Sequence, residues 1–136
     1  MGLKISEVAE RGGVNLETIR YYEREGLLPK PPRLPSGYRV FPESAVTRVR
    51  FIKRAQELGF SLSEIKELLS LRIDHEREAS EVRELAKAKI ADIEEKIRTL
   101  HRMKDVLSGL TDRCSGCGPT SECPILASID SGEVLQ

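Results

Sequence analysis

The sequence has no tryptophan, and aromatic residues make up only 4% of its 136 positions. With so few large apolar side chains, we expect a small core, and a charged fraction of 32% points to solvated helices. No apolar run approaches the ~18 residues that cross a bilayer, and the N-terminal stretch MGLKISEVAERGG lacks the apolar segment of a signal peptide. We therefore expect a cytoplasmic protein without a membrane partner.

Cysteine is scarce and confined to one place. Cys114, Cys117 and Cys123 all fall within the segment RCSGCGPTSECP. An odd number of cysteines argues against a simple disulfide framework, and cytoplasmic thiols stay reduced and free to act as ligands. The cluster is therefore a candidate site for a soft metal ion.

The net charge of zero hides a difference between the two halves. Residues 1–72 carry 13 Lys and Arg against 9 Asp and Glu, whereas residues 73–136 carry 9 against 13. A basic first half and an acidic second half suit a nucleic-acid-binding head on a soluble stalk. The excess is modest, however, and chance remains an alternative explanation of this feature alone.

The first third of the chain is typical of short helices joined by sharp turns. A first helix is expected from Ser6, as N-cap, to Gly12, and a second over residues 16–25 with Asn15 as its cap. Two short helices joined by a glycine-containing turn are typical of a helix-turn-helix, although plain helical hairpins share the pattern.

Residues 27–41 contain four of the seven prolines and are not expected to be helical. Residues 38–41 alternate like a short strand, which predicts a small hairpin, or wing. Pro42 is expected at the start of a third helix that ends at Gly59. Ser61 and Glu64 form a capping box that opens a fourth helix.

A long helix is predicted over residues 74–111. Its apolar residues recur at steps of three and four, at Val82, Ala86, Ile90, Ile93, Ile97, Leu100, Leu107 and Leu110. At ~1.5 Å per residue this helix is roughly 50 Å long, and its stripe needs a partner of equal length. A second copy of the chain in a coiled coil is the simplest partner, and the alternative is a helix that folds back on its own head.

Several segments resemble the MerR family of bacterial transcription regulators. They are VNLETIRYYEREGLL, SGYRVF, VTRVRFIKRAQELGFSLSEIKELLSL and a C-x8-C-P motif that begins at Cys114. The resemblance covers nearly the whole chain and implies a mainly α fold. It places a winged helix-turn-helix DNA-binding domain at 1–72, an antiparallel coiled-coil dimerisation helix at 73–111, and a cysteine-containing effector-binding loop, short helix and tail at 112–136.

The resemblance also implies a regulator and not an enzyme. Family members bind, as homodimers, a two-fold operator between promoter elements that are spaced too far apart for RNA polymerase. Effector binding bends and untwists the DNA so that both elements face the polymerase, which is control by deformation as well as by base contact. The expected partners are therefore double-stranded operator DNA, a second copy of the chain and RNA polymerase.

The same motifs place candidate DNA contacts on the second helix, the wing and the third helix. An arginine in the major groove reaches a guanine edge or a phosphate, and a tyrosine hydroxyl reaches phosphate. One of two consecutive tyrosines must point inward, and we expect Tyr22 more than Tyr21 to contact DNA. The candidates are Thr18, Arg20, Tyr21, Tyr22, Tyr38, Arg39, Lys53 and Arg54.

In metal-sensing members the two cysteines of C-x8-C-P hold the inducer, which here implies Cys114 and Cys123. Mercury and zinc sensors carry a third cysteine near the start of the long helix, where this chain has Ala79 or Ser80. Sensors of copper(I), silver and gold have serine there and hold the ion between two thiolates. Two arrangements stay open: a two-coordinate ion on Cys114 and Cys123, or a three-thiolate site completed by Cys117.

The head most resembles the mercury regulators, so Hg(II) is slightly favoured over Cu(I), Ag(I) or Au(I), with Zn(II), Cd(II) and Pb(II) as further alternatives. The segment from Cys114 to Cys117 also resembles the redox-sensing branch, whose iron–sulfur cluster uses four cysteines. Pro119 stands where one of the four would be. A Cys114–Cys117 disulfide switch is another alternative. A thiol oxidoreductase is disfavoured because no βαβ pattern surrounds the cysteines, and the basic head argues against a metal buffer.

Overall fold

The computed structural model describes residues 2–31 and 33–132 and is mainly helical, as predicted. Its helices are α1 (Ile5–Gly12), α2 (Leu16–Arg24), α3 (Ser44–Glu57), α4 (Leu62–Ile73), α5 (Ala79–Arg113) and α6 (Pro124–Ser131), and a 3₁₀ turn, Thr120–Glu122, precedes α6. Within these residues no helix has the length and apolarity needed to cross a membrane.

The chain divides into two compact units, Met1–Lys89 and Ile90–Gln136. The first unit extends beyond the expected boundary at residue 72, because residues 79–89 of α5 belong to it and Lys89 forms an ion pair with Glu64 of α4. The second unit holds the rest of α5, the cysteine loop and α6. The final residues of the expected tail, 133–136, lie outside the described part of the chain.

The first two helices differ in how well their caps were predicted. The cap of α2 is confirmed, since Asn15 Oδ1 accepts the Thr18 N–H at 2.8 Å. The prediction of Ser6 as the cap of α1 was wrong, because Lys4 is the N-cap. The Glu7 carboxylate accepts the Lys4 N–H at 3.1 Å and so satisfies this helix end from the N3 position.

The wing, residues 33–41, is held by two isolated backbone bridges, and the strand predicted for residues 38–41 is not formed. Arg33 pairs with Arg39, and Phe41 pairs with Leu3 through two hydrogen bonds of 2.8 Å. Pro35, between the bridged residues Arg33 and Arg39, has no N–H to donate to a longer ladder. The wing is therefore a tight hairpin whose returning leg is tied to the N-terminus.

Two basic side chains of α3 bind the C-terminal end of α1. Arg50 Nε donates to the Arg11 carbonyl at 2.9 Å, and Lys53 Nζ donates to the Gly13 carbonyl at 2.8 Å. Both contacts satisfy carbonyl groups at the C-terminus of α1. Helix α3 begins at Ser44, so the prediction that Pro42 starts it was wrong. The head core contains Val8, Ala9, Ile19, Tyr22, Leu27, Leu28, Phe41, Val46, Val49, Ile52, Ala55, Ile65 and Leu69.

Helix α5 starts later than predicted because residues 74–77 form a turn. The Asp74 carboxylate accepts the Glu76 N–H at 3.1 Å, and the Asp74 carbonyl accepts the Arg77 N–H at 3.2 Å. Along α5, the apolar stripe stays exposed from Ile90 to Leu107, with exposed fractions from 39% to 61%. No described part of the second unit covers that stripe, so these residues are available to a partner.

Candidate nucleic-acid interface and metal centre

Helix α2 presents a polar outer face that begins at its cap. Thr18 is half-buried, and its hydroxyl donates to Asn15 Oδ1 at 2.9 Å, so this side chain helps to start the helix. Arg20 is exposed and pairs with Glu17 at 3.1 Å, with exposed fractions of 54% and 76%. An exposed pair of this kind contributes little stability, so Arg20 can exchange Glu17 for a phosphate or a base edge at little cost.

The two consecutive tyrosines have the opposite orientation to the one expected. Tyr22 is in the core with 1% of its surface exposed, and its hydroxyl donates to Gln56 of α3 at 2.8 Å. Burial raises the pKa of Tyr22. Tyr21 is on the surface and has Arg24 6.0 Å from its ring centroid. The expectation that Tyr22 contacts DNA was wrong, because its ring packs inside the head and its hydroxyl is bound to Gln56.

A basic cleft lies between α2 and the wing. Its walls carry six cationic side chains and one carboxylate, that of Glu23. The cations are Lys4, Arg20, Arg24, Lys30, Arg33 and Arg39. A concave surface with this charge attracts a polyanionic backbone.

Arg39 is less available than the sequence suggested. Its Nη1 lies 3.2 Å from Oε2 and 3.4 Å from Oε1 of Glu23, whose side chain is only 2% exposed. Arg39 therefore neutralises a buried carboxylate on α2 and fixes the wing against that helix. Tyr38, one residue earlier, is 71% exposed at the tip of the wing and remains a candidate contact.

The two α3 candidates differ from each other. Lys53 is half-buried and caps the C-terminus of α1, so its ammonium group has a structural role. Arg54 is exposed and adds positive charge to the surface of the head. The structure therefore leaves Arg20, Tyr21, Tyr38 and Arg54 as candidates with freely presented side chains.

The thiols of Cys114 and Cys123 lie together in the second unit. Cys114 follows the last residue of α5, and Cys123 is the N-cap of α6, with Pro124 at the first helical position as predicted. Amide groups of α6 face the Cys123 sulfur, although none makes a capping hydrogen bond of good geometry. The Leu126 amide, then the Ile125 amide and the Cys114 thiol, lower the pKa of Cys123.

Cys117 is on the solvent side of the loop and is exposed. It lies between Gly116 and Gly118, whose φ angles of 78° and 94° favour glycine. Its N–H donates to Ser115 Oγ at 3.3 Å. In the described part of the chain, no three His, Cys, Asp or Glu side chains are grouped to hold a metal, so the three-thiolate arrangement is not assembled there.

The Cys114–Cys123 pair fits a soft ion of low coordination number. Both ligands are sulfur, both are half-buried, and one has a pKa shifted towards the thiolate that binds metal. Such a donor set suits two-coordinate binding and lacks the four ligands of a closed structural zinc site.

Sequence reasoning missed Glu23, Gln56 and several cations of the basic cleft. The cations were detectable as a run of basic residues between positions 20 and 39. The inward position of Tyr22 was also detectable, because Ile19 lies three residues earlier on the same helical face. The role of Gln56 was not, since its contact with Tyr22 joins residues 34 positions apart.

Residues 3–71 match the family described as MerR HTH family regulatory protein, and residues 46–110 match the family described as MerR, DNA binding. The chain is 43% identical over 129 residues to a mercuric resistance operon regulatory protein of Bacillus cereus, covering 95% of this chain and 98% of the relative.

Two solved structures are also similar. A regulator from Bacillus megaterium, determined in complex with mercury(II), has a TM-score of 0.70 and 41% identity, and the match covers 93% of this chain and 98% of that chain. A transcription regulator from Ralstonia metallidurans, determined in complex with lead(II), has a TM-score of 0.83 and 34% identity, with the same coverage of 93% and 98%.

Proposed function

We propose that this chain, which belongs to the MerR family of helix-turn-helix regulatory proteins, is a metal-responsive transcription regulator and not an enzyme. The observation that carries the metal response is the pair of adjacent thiols, Cys114 and Cys123, at the N-terminus of α6. Its working location is the cytoplasm, where these thiols stay reduced.

The DNA-binding surface is the outer face of α2 together with the wing. Arg20 and Tyr21 project from α2, and Tyr38 projects from the wing tip. The basic cleft between them neutralises phosphates. In this proposal Arg39 acts through Glu23, since it sets the position of the wing that presents Tyr38.

The exposed stripe on α5 is the dimer interface. Six apolar side chains of α5 between Ile90 and Leu107 are 39–61% exposed. Covering the remaining surface would contribute ~1 kcal/mol per side chain, or on the order of 10 kcal/mol for two chains. That gain is large enough to offset the cost of association, so we infer a homodimer paired through α5.

The effector is a thiophilic ion bound by Cys114 and Cys123, with Hg(II) slightly favoured. The Bacillus cereus relative is named for mercuric resistance, and the Bacillus megaterium structure holds mercury(II). Mercury sensors carry a third cysteine where this chain has Ala79 or Ser80, the first two residues of α5, and neither residue offers a thiolate. Monovalent Cu(I), Ag(I) or Au(I) on the same two sulfurs is therefore the main alternative.

Cys114 and Cys123 would hold the ion, and their two sulfur bonds to it would connect the end of α5 with the start of α6. The remaining steps of the response are carried out by the dimer. Its two heads bind one operator and deform it so that RNA polymerase can use the promoter. Because the same protein–DNA contacts are made to both shapes of the operator, the dimer can change the operator's shape while its affinity for the operator stays nearly constant.

The test is a metal titration of fully reduced protein, followed by in vitro transcription from its operator. We expect charge-transfer absorption in the ultraviolet on adding Hg(II), and metal-dependent transcription at similar operator affinity. Cys123→Ser should lose both effects, and the matched control Cys117→Ser should keep them. A Cys123→Ser variant that still responds, or a wild-type protein indifferent to every soft cation, would contradict the proposal.

A further inference from the structure

Lys89 is a charged residue on the apolar side of α5. It shares a helical face with Val82 and Ala86, and only 7% of its surface is exposed. Its Nζ lies 2.9 Å from Oε1 of Glu64 and 5.7 Å from the centroid of the Phe60 ring. Burying an ammonium group costs free energy unless it is paired, and the ion pair with Glu64 offsets part of that cost.

The Glu64 oxygen that contacts Lys89, Oε1, also accepts a backbone hydrogen bond. Glu64 is the N3 residue of the α4 capping box, and its Oε1 accepts the Ser61 N–H at 2.7 Å. Ser61 Oγ in turn accepts the Glu64 N–H at 3.2 Å. The Ser61 amide, Lys89 and the Ser61 hydroxyl together lower the pKa of Glu64 to about 2. One oxygen atom therefore joins the start of α4 to the long helix.

From the Glu64–Lys89 ion pair, a short series of contacts leads to α2, the DNA-reading helix. Phe60, which lies under the Lys89 ammonium, donates its N–H to the Ala55 carbonyl of α3 at 3.1 Å. The next residue of α3, Gln56, accepts the Tyr22 hydroxyl of α2 at 2.8 Å. All of these residues belong to the first unit, and α5 continues without a break from Lys89 to Arg113.

We propose that Glu64 and Lys89 form a positioning pair that couples the orientation of α5 to the α3–α4 turn, and through Gln56 and Tyr22 to the reading helix. The inference rests on the proposed function, since it assigns the pair to the transcriptional response. An ion pair is suited to this role because its hydrogen bonds fix a direction. A purely apolar contact of the same size leaves neighbouring helices freer to rotate and slide.

The choice of variants separates coupling from simple stability. Lys89→Met fills a similar volume without a charge, and such replacements of buried charges are often neutral or stabilising when the partner is also neutralised. Glu64→Gln keeps an oxygen that can accept the Ser61 N–H while removing the carboxylate. Lys87→Met is the matched control, because Lys87 lies on the same helix, is exposed, and makes only a 3.6 Å surface pair with Glu84.

The experiment measures Hg(II) binding, operator affinity and the ratio of Hg(II)-induced to basal transcription for each variant and for the double variant E64Q/K89M. We expect the ratio to fall by about threefold to tenfold in Lys89→Met and in Glu64→Gln, within the usual range of coupling effects. The double variant should fall no further than either single one. Metal binding and operator affinity should stay within twofold of wild type, and Lys87→Met should respond fully.

A fully responsive Lys89→Met and Glu64→Gln would overturn the pair while leaving the proposed function intact. The proposal would also be overturned if the ratio of induced to basal transcription falls only as much as operator affinity does. In that case the pair would only stabilise the fold of the head. If Lys89→Met does not fold, Glu64→Gln decides the question, since it retains the helix cap. A wild-type protein without any metal response would overturn both proposals, and that outcome is recognised before any variant is measured.

Discussion

The ion pair between Glu23 and Arg39 allows a quantitative test of how the wing is held. The Glu23 side chain is 2% exposed and that of Arg39 is 27% exposed, and one nitrogen of Arg39 contacts both carboxylate oxygens. Arg39→Ala would leave a buried carboxylate without this partner. Breaking a fully buried pair typically costs about 3–5 kcal/mol.

The expected loss here is smaller, because Arg39 is partly exposed and the cleft contains other cations. Arg24 and Lys30 line the same cleft as Glu23 and offset part of the missing charge. We therefore expect Arg39→Ala to lower the free energy of unfolding by about 2 kcal/mol. The double variant E23Q/R39A, which removes both charges, should recover at least half of that loss.

The assay is urea unfolding of each variant at one fixed protein concentration, since a dimer's stability depends on concentration. Arg20→Ala is the matched control, because its partner Glu17 is exposed and its loss should cost less than about 0.5 kcal/mol. An Arg39→Ala protein as stable as wild type would refute the reasoning. In that case Arg39 would be free to contact DNA, as the sequence first suggested.

Three further predictions follow from other parts of the chain. Arg20→Ala should weaken operator binding by about 5- to 150-fold and reduce its salt dependence, measured by fluorescence anisotropy at several salt concentrations; unchanged affinity would remove Arg20 from the interface. Ile97→Asp, on the exposed stripe of α5, should shift the proposed dimer towards monomer in sedimentation at micromolar concentration, and an intact dimer would place the interface elsewhere. The pKa of Glu64 is lowered to about 2 in the folded chain, so its contribution to stability is complete above pH ~4.5 and is lost as the pH falls towards 2. Glu64→Gln should therefore make the free energy of unfolding fall less steeply as the pH is lowered from ~4.5 towards 2. An unchanged pH dependence would show that other carboxylates dominate it.

The elements that could be predicted from sequence are those with local signals. Asn15 followed by an amphipathic segment defines α2, and Pro124 after Cys123 defines the start of α6. Helix α5 was identified by its periodicity, although its start was misplaced because the Asp74 turn competes with the helix. Local capping and periodicity are short-range properties, so a single sequence contains the information needed to place these elements.

The roles that could not be predicted depend on contacts between distant residues. Lys53 was a reasonable DNA candidate until the structure placed it on the Gly13 carbonyl, 40 positions away in sequence. Arg39 was likewise a candidate until Glu23 was found beside it. A cation on the surface of a DNA-binding head can serve either a phosphate or a carbonyl, and only the packing of α3 and the wing decides between them. By contrast, the resemblance had already named Cys114 and Cys123 as a pair, and the Cys114 thiol lies close enough to Cys123 to lower its pKa.

The buried charges of this head lie at joints between its elements. Among the described residues, Glu23 and Lys89 are the buried charged ones. Glu23 joins α2 to the wing, and Lys89 joins α5 to the start of α4. Apolar contacts would suffice to keep these elements together, and they would do so without the cost of desolvating charge. A charge pair adds direction, because its hydrogen bonds weaken when one element turns relative to the other. In the proposed function the regulator changes the shape of its DNA, and this requires heads whose reading helix and wing move as one body. It also needs a defined attachment of that body to the helix that reports the effector. The two buried charges meet these two requirements separately, so disrupting Glu23 should alter operator binding itself, whereas disrupting Lys89 should alter only the response to metal.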